Sequence, residues 1–394
     1  MKKYDVAVVG GGPIGGYVSK NIAESGFQVT LYEEHKKIGM PLKCAGLVSS
    51  RVLDFLNTSE KEIVQNEIYG AHIYSPSGKI LTIGGDKIHA FVINRPKFDE
   101  DIINEATDKG AEIHLESKAI FAKREDNHIK LKISQKEKTS QIKCSLLIGA
   151  DGPHSTIRSA FRFPRPTEIL RGIGAEVTNT NLDPKFVEIF LGCNIAPGFF
   201  AWIIPVNKEG SEARVGLCVN EHSKKSLTQC FTNLLRTKQL KNITIKRRIG
   251  GSIPLGPLTK TFQSNVMLVG DAAAQVKPTS GGGLYPGMLC AHHCSAVAVE
   301  ALNANDFSSR FLKKYHMLWS KKIGRELSLG MKFRAIFKNL QDKQIDKYIE
   351  ELNEEKIIET ICKYGDIDFP SNLVFPLIKK KPSLLKLIPS AIIN

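Results

Sequence analysis

The sequence predicts an α/β fold: a twisted parallel sheet assembled from separate stretches of chain, an inserted antiparallel β-sheet, and C-terminal helices. Three observations carry that expectation. A short apolar run, DVAVVG, leads from Asp5 straight into Gly10, Gly12 and Gly15. A second apolar run ends in Gly270-Asp271 and is soon followed by Gly281-Gly282-Gly283. Between them lie alternating, extended stretches broken by polar turns, and past about residue 320 the rhythm turns helical and charged.

The composition fits a globular protein of two domains. The chain has 394 residues, 42% hydrophobic and 24% charged, and about 150 residues per domain is the ordinary scale. No apolar run is long enough to span a bilayer, and the N-terminus, MKKYDVAVVGGG, lacks the pattern of a secretion signal. Eight scattered cysteines without a CxxC pair read as a reduced, cytoplasmic chain. With 55 Lys+Arg against 40 Asp+Glu, the formal charge is +15. Nucleic acid, an anionic membrane surface and an acidic substrate all fit that sign, as does a generally basic surface.

The first unit runs strand, glycines, helix, strand, acid. The β-branched run from Asp5 suits a strand buried on both faces. Gly10, Gly12 and Gly15 satisfy GxGxxG, and GYVSKNIAES then reads as a helix ending near Gly26. FQVTLYEE follows as a second strand and delivers Glu33 at its end. In this order the glycines give a tight turn, a backbone that can approach a pyrophosphate, and close helix–strand packing. An acid some 20 residues on accepts from ribose hydroxyls. Strand register favours Glu33 for that role, with Glu34 as the alternative. The prediction is a Rossmann-like dinucleotide site.

The second unit begins with QSNVMLVGDAA, a buried strand ending in Gly270-Asp271. Asp271 can bind a hydroxyl of a polyol chain. The glycines Gly281, Gly282 and Gly283 open a helix through LYPGMLCAHHCSAVAVEAL, with Pro286 tolerated in its first turns. Bare N–H groups and the positive helix end would face the electron-rich edge of a flavin.

GGGPIG, LLIGADGPHSTIR (146–158), INRPKFDEDI and LVGDAAAQVKPTSGGGL together resemble the FAD-binding group that includes aromatic hydroxylases, halogenases and geranylgeranyl reductases. The resemblance implies FAD and a fold of the aromatic-hydroxylase/glutathione-reductase type. It divides the chain into a discontinuous FAD-binding domain (1–50, 90–165 and 255–320), a β-rich substrate domain (51–89 and 166–254) and a helical C-terminal region (321–394). It assigns cofactor contacts to Gly10, Gly12, Gly15, Glu33, Arg95, Ala119, Asp271, Gly282, Gly283 and Leu284. GMPLKCAGLVS sits where reductases of this group carry a Cys-Gly-x-Gly stretch, which adds Cys44, Ala45 and Leu47. The Cys44 thiol reads either as a redox group or as a small apolar neighbour of the ring.

AHIYSPSGKILTIGG, FVEIFLG, FFAWIIP and EARVGLCVN read as strands of the inserted sheet, with turns at 75–78 and 207–210. Alternation puts Phe200, Trp202 and Ile204 on one strand face, and PGFFAWIIP is similar to the YxWxFP stretch of geranylgeranyl reductases. It also approaches the WxWxIP of flavin halogenases. These three residues are candidates for a substrate wall, with plain core packing as the other reading for Trp202. Cys290, His293 and Cys294 share a helical face, but no fourth ligand completes a zinc site, so no metal is expected. Asp151, His154 and Ser155 belong to the Asp-Gly loop motif; without a GxSxG elbow they do not make a hydrolase.

Residues 321–361 read as a charged, solvated helical cap. The tail alternates Lys379, Lys380, Lys381 and Lys386 with Leu384, Leu385, Leu387 and Ile388, which suits either an anionic bilayer surface or docking on its own domain. The family resemblance implies a reductase that saturates geranylgeranyl chains on isoprenoid ether phospholipids or their precursors, in archaeal-type membrane-lipid biosynthesis. Its partners would be a prenylated lipid and an electron donor, with ferredoxin, a deazaflavin and NADPH all open. Its place would be cytoplasmic or peripheral at the inner face of the cell membrane. No catalytic residue is assigned beyond Tyr285 as a candidate proton donor. A flavin monooxygenase or halogenase is the alternative, followed by a flavoprotein that binds prenyl lipid without turnover. Nucleic-acid binding rests on charge alone and ranks last.

Overall fold

The structure is a computed structural model that describes residues 1–56, 60–136, 138–221 and 223–382. The strand Lys2–Val9 lies between Lys138–Gly149 and Val29–Tyr32 and runs parallel to both. Val266–Leu268 extends the sheet on one side and Glu112–His114 on the other, again in parallel. Both faces are covered, which is why the first strand lacks polar alternation. Val6 and Val8 pack with Val18, Ile22 and Phe98 beneath the helices Pro13–Glu24 and Arg95–Asp108. Ala7 and Val9 pack with Ala122, Ile129 and Leu131 of a hairpin, Lys118–Glu125 and His128–Gln135, that curls over the opposite face.

A second, seven-stranded sheet has the order Thr244–Leu255, Glu168–Thr178, Glu212–Val219, Phe200–Pro205, Phe186–Leu191, Gly70–Tyr74 and Ile80–Gly84. Its pairs are antiparallel except that of Phe186–Leu191 with Gly70–Tyr74. One face is sealed by the helix Leu227–Leu235, whose Cys230, Phe231 and Leu234 meet Ala201, Ile203, Val215 and Leu217. The alternate residues, Phe200 and Trp202, turn to the other face. A small antiparallel sheet sets Ala90–Ile93 between Leu47–Val48 and Val64–Ile68.

The C-terminal helices are not a solvated cap. Ile345 and Ile349 of Asp342–Leu352 bury against Leu81 of the second sheet. Arg334 of Arg325–Phe337 is 2% exposed and donates to both oxygens of Glu168, at 2.9 and 2.7 Å. Most of the other charged residues of these helices lie on their outer faces. Lys379 and Lys380 end the short helix Val374–Lys380, where Phe375 is exposed. Leu384, Leu385, Lys386, Leu387 and Ile388 lie outside the described residues. Among the described residues no helix is long and apolar enough to cross a membrane.

Candidate active site

The first glycine turn brings a helix mouth onto the parallel sheet. Gly10 has φ +108°, and a Cβ there would lie 2.3 Å from the Ala150 oxygen; one on Gly15 would lie 2.0 Å from the Gly10 oxygen. Only bare backbone packs so closely. Gly12 caps the helix without a side-chain hydrogen bond, and a Cβ on it would meet no atom within 4 Å. The mouth of this helix is therefore open beside Gly12. The Glu33 carboxylate accepts from the Gly11 N–H at 2.6 Å and the His35 N–H at 2.9 Å, with His35 Nδ1 at 2.5 Å. Glu34 stands outside the turn, paired with Lys118 at 2.8 Å. Ala119 follows that lysine, its methyl buried in one core cluster with Tyr32. Ser117, two residues earlier, donates its N–H to the Glu33 carbonyl at 2.8 Å.

The second turn converges on the first. Ile14, in the first turn of the N-terminal helix, packs between Gly270 and Gly287: Cβ atoms there would lie 3.1 and 2.7 Å from it. Asp271 sits in the 3-10 turn Gly270–Ala273, half-buried, its carboxylate without a hydrogen-bond partner among the described residues. Burial pushes this carboxyl up to about 6, and the charge of nearby Arg95 opposes the rise. The helix Leu284–Ala304 opens at Gly283 with no side-chain cap, and a Cβ on Gly283 would lie 2.9 Å from Asp271 Oδ1. The Asp-Gly loop ties the two turns together. Asp151 accepts from Ser155 Oγ at 2.5 Å and the Ile157 N–H at 3.0 Å, and Arg158 donates to the carbonyls of Pro153 and Ala272, at 2.6 and 3.1 Å.

Cys44, Arg95 and Asp271 come together although they are far apart in sequence. Burial works against the Arg95 charge, but Asp99 and Cys44 beside it raise its proton affinity overall. Arg95 donates to Asp99 at 3.0 Å. The Cys44 turn is pinned from behind by Arg214, which donates to the carbonyls of Ala45 and Ile93, at 3.0 and 2.9 Å, and to Gln65 at 2.8 Å. Leu47 pairs with Val92 in the small sheet. Leu284 is the first residue of its helix, and Tyr285 turns its ring toward Phe369, with centroids 5.9 Å apart. Burial raises the Tyr285 hydroxyl.

Phe200 and Trp202 stand half-buried and edge-on at 6.0 Å, and Gly216 leaves room for the indole, since a Cβ there would lie 2.6 Å from Trp202 Cζ2. Ile204, 3% exposed, packs instead with Ile68, Val92 and Val187. The Phe200 and Trp202 face clusters with Phe199 and Val276, the latter from the second glycine turn. Cys290 and Cys294 are buried in the core beneath the first helix. Among the described residues no three His, Cys, Asp or Glu gather as a metal-holding group.

Two helix mouths without side-chain caps, the Glu33 carboxylate and the Asp271 carboxylate, which has no hydrogen-bond partner among the described residues, lie at two glycine turns packed together through Ile14. The residues fit a flavin dinucleotide. Arg214, Lys277 and Asp368 escaped the sequence reading because their partners lie tens to hundreds of residues away.

This chain belongs to the FAD-binding-domain family, whose model matches residues 3–316, and it is an FAD-dependent oxidoreductase. Within that class it belongs to the geranylgeranyl reductase family. It is 34% identical over 391 residues to the digeranylgeranylglycerophospholipid reductase of Methanocaldococcus jannaschii, covering 97% of each chain. A geranylgeranyl bacteriochlorophyll reductase-like protein from Thermoplasma acidophilum shares the fold with a TM-score of 0.86, at 24% identity and over 98% of this chain and 100% of that one. A p-nitrophenol 4-monooxygenase from Pseudomonas putida shares it with a TM-score of 0.72, at 17% identity, over 95% of this chain and 99% of that one.

Proposed function

We propose that the protein saturates double bonds of geranylgeranyl chains on isoprenoid ether phospholipids or their precursors. The supporting observation is the apolar wall. Phe199, just before the strand, and Phe200 and Trp202 on it pack against Val276 beside the second glycine turn, so an alkene threaded along that face would meet the cofactor site. When bound and reduced, FAD would supply the hydride for the alkene. The backbone at Gly10, Gly12 and Gly15 would hold its pyrophosphate and Glu33 its ribose, with Ala119 alongside. Asp271 would bind the ribityl chain, and Cys44, Ala45, Leu47, Arg95, Gly282, Gly283 and Leu284 would line the ring. The uncapped helix mouth at Gly283 favours negative charge there.

Phe200 and Trp202 exclude water and align the isoprenoid, with Ile204 backing the wall. Each buried methylene contributes about 0.8 kcal/mol to holding such a chain. The basic surface suits a phosphate head group. Tyr285, whose hydroxyl burial keeps protonated, is the candidate proton donor. Ferredoxin, a deazaflavin or NADPH would serve as reductant, and the lipid substrate would bring the protein to the inner membrane face, in contact with a bilayer.

Anaerobic incubation of FAD-loaded protein with dithionite and a geranylgeranyl ether lipid tests this by mass spectrometry. A gain of two hydrogens per bond is expected. An unchanged lipid overturns it in favour of a flavoprotein that binds prenyl lipid without turnover, and a product carrying oxygen or halide when air or halide is admitted overturns it in favour of a monooxygenase or halogenase.

A further inference from the structure

Three distant stretches of chain meet at the second glycine turn. Lys277 folds back over the turn: a Cβ on Gly282 would lie 2.9 Å from its Cε and 3.4 Å from its Nζ. The Lys277 N–H donates to the Gly282 carbonyl at 3.1 Å, and the Gly281 N–H donates to the Lys277 carbonyl at 2.8 Å, so this lysine is tied to the turn through its backbone. Its buried ammonium donates to Asp368 Oδ1 and to the Ile367 carbonyl, both at 2.7 Å. Asp368 is 1% exposed, and its other oxygen accepts from Ser49 Oγ and from Arg51 Nη1 at 3.1 Å. Arg51 also grips Asp366 with two bonds, at 2.9 and 2.7 Å. Phe369 then meets Tyr285, in the first turn of the helix opened by Gly283. The elbow 366–369 thus lies outside residues 3–316, where the family model matches, yet it reaches the glycine turn and the segment just past Leu47.

Stability alone does not explain such a pair. Two charges lose their hydration on burial, and a well-packed apolar pair often does as well or better. What an ion pair fixed to a turn does provide is a defined geometry and a defined local field. We infer that Lys277 and Asp368 are positioning residues for the flavin: the C-terminal elbow sets the charge balance at Gly281–Gly283 and through it the redox potential of the bound cofactor. This rests on the reading that the glycine turn holds the flavin.

The test is anaerobic potentiometry of FAD-loaded wild type, Lys277→Met, Lys277→Arg and Asp368→Asn. Asp368→Asn leaves the ammonium facing a neutral amide, so the flavin potential shifts positive. Lys277→Met removes the cation, so it shifts negative, and Lys277→Arg restores it toward wild type. Shifts of opposite sign are the signature, because a merely structural role moves FAD affinity and leaves the potentials together. Equal potentials in all four flavin-loaded proteins overturn the inference while leaving the cofactor site standing. Should Asp368→Asn fail to fold, the contrast between Lys277→Met and Lys277→Arg decides alone. A folded wild type that takes up no FAD overturns the cofactor site, and this inference with it.

Discussion

Asp271 carries the clearest pH dependence of any single residue. Its carboxyl titrates near 6 when folded because burial disfavours the charge, whereas an unfolded aspartate titrates near 3.9. The folded apoprotein therefore bears a cost that is fully present above pH 6 and fades as the pH falls toward 4. Asp271→Asn is expected to stabilise the apoprotein by roughly 1–3 kcal/mol at pH 7.5, with the gain gone near pH 4, while weakening FAD binding. Urea unfolding of both apoproteins at the two pH values checks this; equal stabilities at pH 7.5 count against it. A site that destabilises its own chain while favouring a ligand is a common signature of function. At this scale the sequence was informative where chemistry is local. Gly10, Gly12, Gly15 and Glu33 belong to one strand-turn-helix-strand unit, so their spacing alone suggested their roles. Lys277 was not readable, because the carboxylate that holds it is 91 residues away.

Among the elements, strand periodicity foretold which face Phe200 and Trp202 would share, but not what would lie against it. The charged C-terminal helices pack against the second sheet rather than standing in solvent, since charge on an outer face says nothing of the inner one. Arg334 shows the consequence. Its guanidinium crosses from helix to sheet, to both oxygens of Glu168 and to the Gly198 carbonyl at 3.0 Å. Removing one partner of a buried pair leaves the other charge uncompensated, so Arg334→Leu is expected to cost roughly 3–5 kcal/mol. Chemical denaturation measures the loss, and the double variant with Glu168→Leu should recover much of it. If the single variant is as stable as wild type, these helices are not anchored through this contact.

For the whole molecule, the charge of +15 and the exposed Phe375 beside Lys379 and Lys380 suit contact with an anionic bilayer. Each lysine near such a surface contributes about 1 kcal/mol, and salt shortens the reach of that attraction from about 10 Å at 0.1 M to 3 Å at 1 M. Cosedimentation with phosphatidylglycerol vesicles at 0.1 M salt is the expected outcome. It should be lost at 1 M salt and reduced by Phe375→Asp. Binding that persists unchanged at 1 M salt, or that ignores Phe375→Asp, argues against this surface.

Residue order alone was enough to specify the α/β class and the two glycine turns, because each is written within a few dozen contiguous residues whose local geometry nearly dictates their form, and the family resemblance of those motifs added the flavin. Packing in three dimensions was needed to show that Ile14 wedges the turns together, that the Phe200–Trp202 wall abuts the second of them, and that the elbow at Asp368 closes over Lys277. Such contacts join segments far apart along the chain, and which distant side chains meet is set by how whole elements pack, which no local pattern encodes.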